Sequence, residues 1–145
     1  MAVTVMIIDD DADDREIFGE AVRQVDPELR LVSCESGDAA FTLLLKGAVK
    51  PDFVFLDMNM PGMNGRQCLI KFRAHAELHD VPVIIYTTSN RMEDAEEVKR
   101  IGAVAFLTKP TSMEELKQAI AFTLQRKWDK IQPYYSMVKG GRLKI

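Results

Sequence analysis

Residues 51–65 read PDFVFLDMNMPGMNG. Phe53, Val54, Phe55 and Leu56 form an apolar run without polar alternation, the pattern of a strand covered on both faces of a parallel sheet. Asp57 closes that run. A buried carboxylate without partners is costly or takes up a proton, so Asp57 requires company from elsewhere in the chain.

The sequence on either side supplies the framework. Short apolar runs rich in β-branched residues, at 3–8, 29–34, 82–87 and 103–108, join 53–56 as five expected strands. Between them, Ile17, Phe18, Ala21, Val22 and Val25 make one helical face, Ala39, Ala40, Phe41, Leu43 and Leu44 another, and Leu69, Ile70 and Phe72 a third. Asp11 or Asp13, Ser36 and Asn64 are the candidate N-caps. A fourth helix over 91–101 carries only a thin stripe of Met92, Ala95, Val98 and Ile101, which predicts weak docking and mobility. A fifth opens with the capping box Ser112 to Glu115 and runs towards Trp128, with Pro133 expected to end it.

Five β-then-α units in series predict an α/β fold: a doubly wound, flavodoxin-like parallel sheet of five strands, order 2-1-3-4-5, with helices on both faces. One domain is expected over 1–130. Residues 131–145, with Gly140-Gly141 and no clear period, are expected to form a solvated C-terminal extension, with no separate output domain. From Arg126 onward six Lys or Arg residues face one acid, Asp129.

Composition narrows the partners. The chain has 145 residues, 47% hydrophobic and 28% charged, enough for one well-buried domain. A formal charge of -3 and no basic patch with interleaved aromatics give no support for nucleic acid. The acidic start lacks a signal peptide's cationic region, and nothing approaches the roughly 18 apolar residues of a membrane span. Cys34 and Cys68 have no CxxC spacing and read as small core residues, so a cytoplasmic protein is expected.

In an open parallel sheet, ligands bind at the carboxyl ends of the strands, where the strand order reverses. Asp9 and Asp10 follow the first strand, Asp57 the third, Thr87 and Thr88 the fourth, and Lys109 the fifth. Glu35 and Ser36 follow the second, the expected edge strand, and suggest only a turn and a cap. Asp9, Asp10 and Asp57 would repel one another unless a cation lay among them. Hard oxygen donors without nearby His or Cys favour Mg²⁺, with Mn²⁺ the alternative. With the Lys109 ammonium and the Thr87 hydroxyl alongside, the set suits phosphoryl transfer onto an aspartate.

VMIIDDDADD, FVFLDMNMPGMNG, PVIIYTTS and AFLTKP, in that order and spacing, resemble the receiver domains of two-component response regulators, including the single-domain chemotaxis type, over residues 3–128. The resemblance implies that Asp57 accepts a phosphoryl group from a sensor histidine kinase or phosphotransfer protein. It implies that Asp10, Asp57 and the backbone carbonyl of Asn59 hold Mg²⁺, with Asp9 acting largely through water, and that Thr87 and Lys109 bind the phosphoryl oxygens. Thr87 and Phe106 would form the switch, Phe106 standing where many relatives have Tyr. Thr111 is a second departure from the family pattern, after the Lys-Pro pair. Asn59 and Ser89 lie where relatives tune the lifetime of the phosphoryl group, and the Lys109–Pro110 bond is expected to be cis. Output would come from binding an unidentified downstream protein or from phosphorelay, with a homodimer allowed. The chain would be a switch that assists its own phosphorylation, and not an enzyme.

Blander readings apply to several residues. Asp11, Asp13 and Asp14 read as helix N-terminal acids facing the macrodipole. Asp9, Asp11, Asp13 and Glu20 nearly match a calcium loop, but Asp14 stands where that loop needs glycine. His75 and His79 fall on or after the third helix and read as surface residues. Met58, Met60 and Met63 read as loop packing. The alternative function is a haloacid-dehalogenase-like phosphatase, which also uses a strand-end aspartate, Mg²⁺ and a lysine. That class expects DxDx[TV] after the first strand, whereas Asp13 occupies the last of those positions here.

Overall fold

The computed structural model describes residues 2–125, 135–138 and 141–144. The elements alternate as β1 (Thr4–Ile8), α1 (Ala12–Val25), β2 (Arg30–Cys34), α2 (Gly37–Leu45), β3 (Phe53–Leu56), α3 (Gly65–Ala74), β4 (Val83–Thr87), α4 (Met92–Ile101), β5 (Ala105–Thr108) and α5 (Met113–Gln125). The five strands pair in parallel in the order β2-β1-β3-β4-β5. This is the expected doubly wound sheet.

Asp11 caps α1, its side chain accepting from the Asp14 N–H, and Ser36 caps α2 in the same way through the Ala39 N–H. Asn64 and Gln67 form a reciprocal capping box at α3. At α5 the Ser112 hydroxyl oxygen accepts from the Glu115 N–H.

Alternation along the buried strands sends side chains to two cores. Val5, Ile7, Phe53, Phe55, Ile84, Tyr86, Ala105 and Leu107 pack against Phe18 and Val22 of α1 and Leu116 and Ile120 of α5. On the other face, Met6, Ile8, Val54, Leu56, Val83, Ile85 and Phe106 meet Phe41 of α2, Leu69 and Phe72 of α3, and Ala95 and Val98 of α4. Phe18, Phe55, Phe72 and Phe106 are fully buried. Each such ring stabilises the fold by about 2–3 kcal/mol relative to exposure. Among the described residues, no helix is long and apolar enough to cross a membrane.

One expectation is corrected and two strands are added. Within 131–145, β6 (Tyr135–Val138) pairs in parallel with β5, and β7 (Gly141–Lys144) returns antiparallel to β6, making a seven-stranded sheet. The outer edge of β5 offers unpaired backbone groups, and Tyr135 to Val138 is a short run able to satisfy them. The Lys109–Pro110 bond is trans, since the described residues contain no cis peptide bond; trans is the intrinsic preference even before proline. Trp128 and Pro133 lie outside the described residues.

Candidate functional site at the carboxyl ends of the strands

Backbone hydrogen bonds carry the strand ladder one step past the apolar runs and so fix the site. The Asp9 N–H donates to the Cys34 carbonyl at 3.1 Å, the Asp57 N–H to the Ile8 carbonyl at 2.9 Å, and the Lys109 N–H to the Thr87 carbonyl at 2.6 Å. Asp9, Asp57 and Thr87 are buried, and Asp10 is exposed at the rim. One carboxylate oxygen from each of Asp9, Asp10 and Asp57 lies within 4.8 Å of the others.

The loop after β3 is shaped by two glycines. Gly62 takes a positive φ of 74° in the turn, which favours glycine there. At Gly65, a Cβ would stand 2.4 Å from the Asp57 carbonyl oxygen and 2.5 Å from the Met58 Cα. Only glycine lets the start of α3 approach the backbone of Asp57 this closely.

Lys109 enters from the end of β5 with its side chain 11% exposed. Its Nζ lies 2.9 Å from Asp9 Oδ2, 2.7 Å from Asp14 Oδ2 and 3.9 Å from Asp57 Oδ2. The Tyr86 ring centroid is 5.3 Å from the same nitrogen, a cation–π distance. Burial alone would lower the pKa of Lys109, but the neighbouring carboxylates of Asp14, Asp9 and Asp57 raise it above the ordinary lysine value. The ammonium is therefore a permanent charge at neutral pH.

Burial raises the pKa of Asp57 to about 6; Lys109 opposes this, Asp9 adds to it, the Asn59 N–H opposes it and Asp10 adds to it. The Asn59 N–H reaches Asp57 Oδ1 at 3.4 Å. Asp9 Oδ1 accepts from the Asp11 N–H, and Asp9 Oδ2 is buried with the Lys109 ammonium 2.9 Å away as its close partner. The Lys109 ammonium and the Arg15 guanidinium, which donates to the Asp9 carbonyl at 2.7 Å, face the carboxylates of Asp9, Asp10, Asp14 and Asp57, so negative charge is left uncompensated. Three carboxylate oxygens gathered this closely, with no nitrogen or sulfur ligand in the group, suit a hard divalent cation.

Thr87 faces the loop into α4. Its hydroxyl oxygen accepts from the Ser89 N–H at 3.3 Å, and the Thr108 hydroxyl donates to the Ser89 carbonyl at 2.8 Å. The Ser89 hydroxyl donates to Asp94, which with Glu97 pairs with Arg66 of α3. Phe106 is fully buried beside Ile85 in the sheet register.

The sequence-derived residues Asp9, Asp10, Asp57 and Lys109 therefore converge, with Thr87 tied to Lys109 through the backbone and Asn59 to Asp57 through its N–H. His79 sits away from the cluster, paired with Asp80, and His75 caps α3. Cys34 and Cys68 are buried free thiols. Asp14 is the correction: read as a macrodipole acid, it grips Lys109. No sequence signal singled it out, since every residue of a helix directs its Cα–Cβ bond towards the N-terminus and Asp13 shares the first turn.

The family model of the response regulator receiver domain matches residues 5–121. The positive alginate biosynthesis regulatory protein of Pseudomonas aeruginosa is 34% identical over 119 residues, covering 81% of this chain and 46% of that protein. Chemotaxis protein CheY-3 of Vibrio cholerae is 32% identical over 127 residues, covering 88% of this chain and 89% of that protein. The crystal structure of the Mn²⁺-bound form of response regulator Rcp1 has the same fold, with a TM-score of 0.75 at 20% identity, covering 90% of this chain and 97% of that one. This chain spans less than half the length of several curated relatives that it matches.

Proposed function

Because the chain belongs to the response regulator receiver domain family, we propose that it is a phosphorylation-controlled signalling switch whose acceptor is Asp57. The observation that carries this reading is a buried strand-end carboxylate with an ammonium 3.9 Å away and two further carboxylates around it. With its pKa at about 6, Asp57 is ionised at neutral pH and can attack phosphorus. Its oxygen forms the new bond to phosphorus as the bond to the donor's leaving group breaks.

Lys109 sits beside the site where negative charge gathers on the transferring group, and its raised pKa keeps it cationic throughout. The Thr87 hydroxyl is the hydrogen-bond donor for a phosphoryl oxygen, and Phe106 is the aromatic whose packing follows Thr87. Asp10, Asp57 and the Asn59 carbonyl would hold Mg²⁺, or Mn²⁺ as in the Rcp1 structure, with Asp9 acting largely through water. The ion, when bound, supplies compensating charge for the phosphoryl oxygens.

The phosphatase alternative finds no support in a receiver match over 5–121. Residues 1–130 form the receiver in this reading, and 131–145 an extension of it. The donor would be a sensor histidine kinase or phosphotransfer protein in the cytoplasm, and output would pass to a downstream protein or a further phosphotransfer step.

Incubation with Mg²⁺ and acetyl phosphate tests the proposal. One acid-stable, base-labile phosphoryl group is expected, absent in Asp57→Asn. Rapid turnover of phosphate esters with Asp9 as the essential nucleophile would overturn it.

A further inference from the structure

The strongest tie of Lys109 is to a residue outside the acceptor set. Its Nζ is 2.7 Å from Asp14 Oδ2 in a hydrogen bond, against 3.9 Å from Asp57 Oδ2. The first distance is typical of a charge-assisted hydrogen bond and the second lies beyond hydrogen-bond reach. Asp14 is 32% exposed, on the first turn of α1, so its carboxylate can turn to water if the ammonium leaves it. We infer that Asp14 is a positioning residue that holds the Lys109 ammonium back from Asp57 until a phosphoryl group there competes for it.

The inference rests on Asp57 as acceptor and deepens that reading. An ammonium has three N–H donors and no acceptor. Asp9 Oδ2, 2.9 Å away, is a second anionic anchor that stays in place when Asp14 is changed, and the Tyr86 ring at 5.3 Å flanks the ammonium without adding charge. A phosphoryl group on Asp57 brings close to two negative charges and strong acceptor oxygens. Those oxygens compete with Asp14 and Asp9 for the three N–H donors of Lys109. Asp14 therefore opposes phosphorylation, and removing its charge while keeping its shape should ease the step.

The test uses the full chain with Mg²⁺ and acetyl phosphate: the Asp57 Oδ–P bond forms, the P–O bond to the acetyl group breaks, and acetate leaves. Asp14→Asn should be phosphorylated roughly two- to tenfold faster, the range for a partly exposed ion pair. Asp14→Glu should stay near the wild-type rate. In a Lys109→Met background, Asp14→Asn should change nothing, because the effect runs through the ammonium. An unchanged or slower Asp14→Asn overturns the inference, as does an equal acceleration without Lys109, which would mark simple repulsion of the anionic donor.

A second readout needs no turnover. In Mg²⁺-free protein the ¹⁵N signal of the Lys109 ammonium, slowed in exchange by its bond to Asp14, should broaden or vanish in Asp14→Asn and persist in Asp14→Glu; an unaltered signal in Asp14→Asn overturns the inference. Failure of the wild-type chain to take up any phosphoryl group overturns the assignment of Asp57 itself, a result distinct from wild-type uptake that Asp14→Asn leaves unchanged.

Discussion

At Asp57, burial sets folding against function. Its folded-state pKa of about 6 lies above the roughly 3.9 of an unfolded aspartate. The group therefore contributes stability in its protonated form, fully present below about pH 4 and lost as the pH rises through about 6. Asp57→Asn keeps the neutral shape at every pH. Without divalent ions it should be more stable than wild type at pH 8, on the order of 1–2 kcal/mol after allowance for solvent screening. Urea unfolding across pH checks this; a variant less stable at pH 8, or a gap that persists at pH 4, would contradict it. The strand-end acids and Lys109 were legible in the sequence because each closes an apolar run. Asp14 was not, because three acids at a helix start look alike until one is seen to lean back over β1 and meet a lysine 95 positions away.

Among the elements, α4 and α3 carry the sharpest expectations. Helix α4 buries only Ala95 and Val98, and its N-cap, Arg91, makes no side-chain capping bond. Helix α5 buries Leu116, Ala119, Ile120 and Thr123. Amide hydrogen exchange should therefore be faster in α4 than in α5; equal protection would show that the Arg66 pairs with Asp94 and Glu97 anchor α4 more firmly than its packing suggests. At the start of α3, Gly65→Ala forces backbone to move, because the contacts at 2.4 and 2.5 Å are with main-chain atoms of Asp57 and Met58. A loss of about 2–3 kcal/mol in urea unfolding and slower phosphorylation are expected; wild-type values for both would contradict the close approach. Helix positions and caps were readable because apolar period and capping chemistry agreed. β6 and β7 were not, because two four-residue runs, separated by Lys139-Gly140 and the second opening on Gly141, rely on the edge of β5, a long-range pairing no local pattern encodes.

For the molecule as a whole, the two cores flanking the sheet are built, among the described residues, from positions up to Leu124. A chain ending at residue 130 should accordingly fold and still accept a phosphoryl group on Asp57, with the exposed edge of β5 favouring self-association; an unfolded product by circular dichroism would show that β6 and β7 are integral to the receiver. The central claim is that one carboxylate among the three at the strand ends is the acceptor. Borohydride reduction after treatment with acetyl phosphate and Mg²⁺, followed by peptide mass spectrometry, reads this directly, because reduction of an aspartyl phosphate leaves homoserine. The account predicts homoserine at position 57 alone, and only when Mg²⁺ was present. Homoserine at position 9 or 10, or phosphate on His75 or His79 with Asp57 untouched, would contradict it.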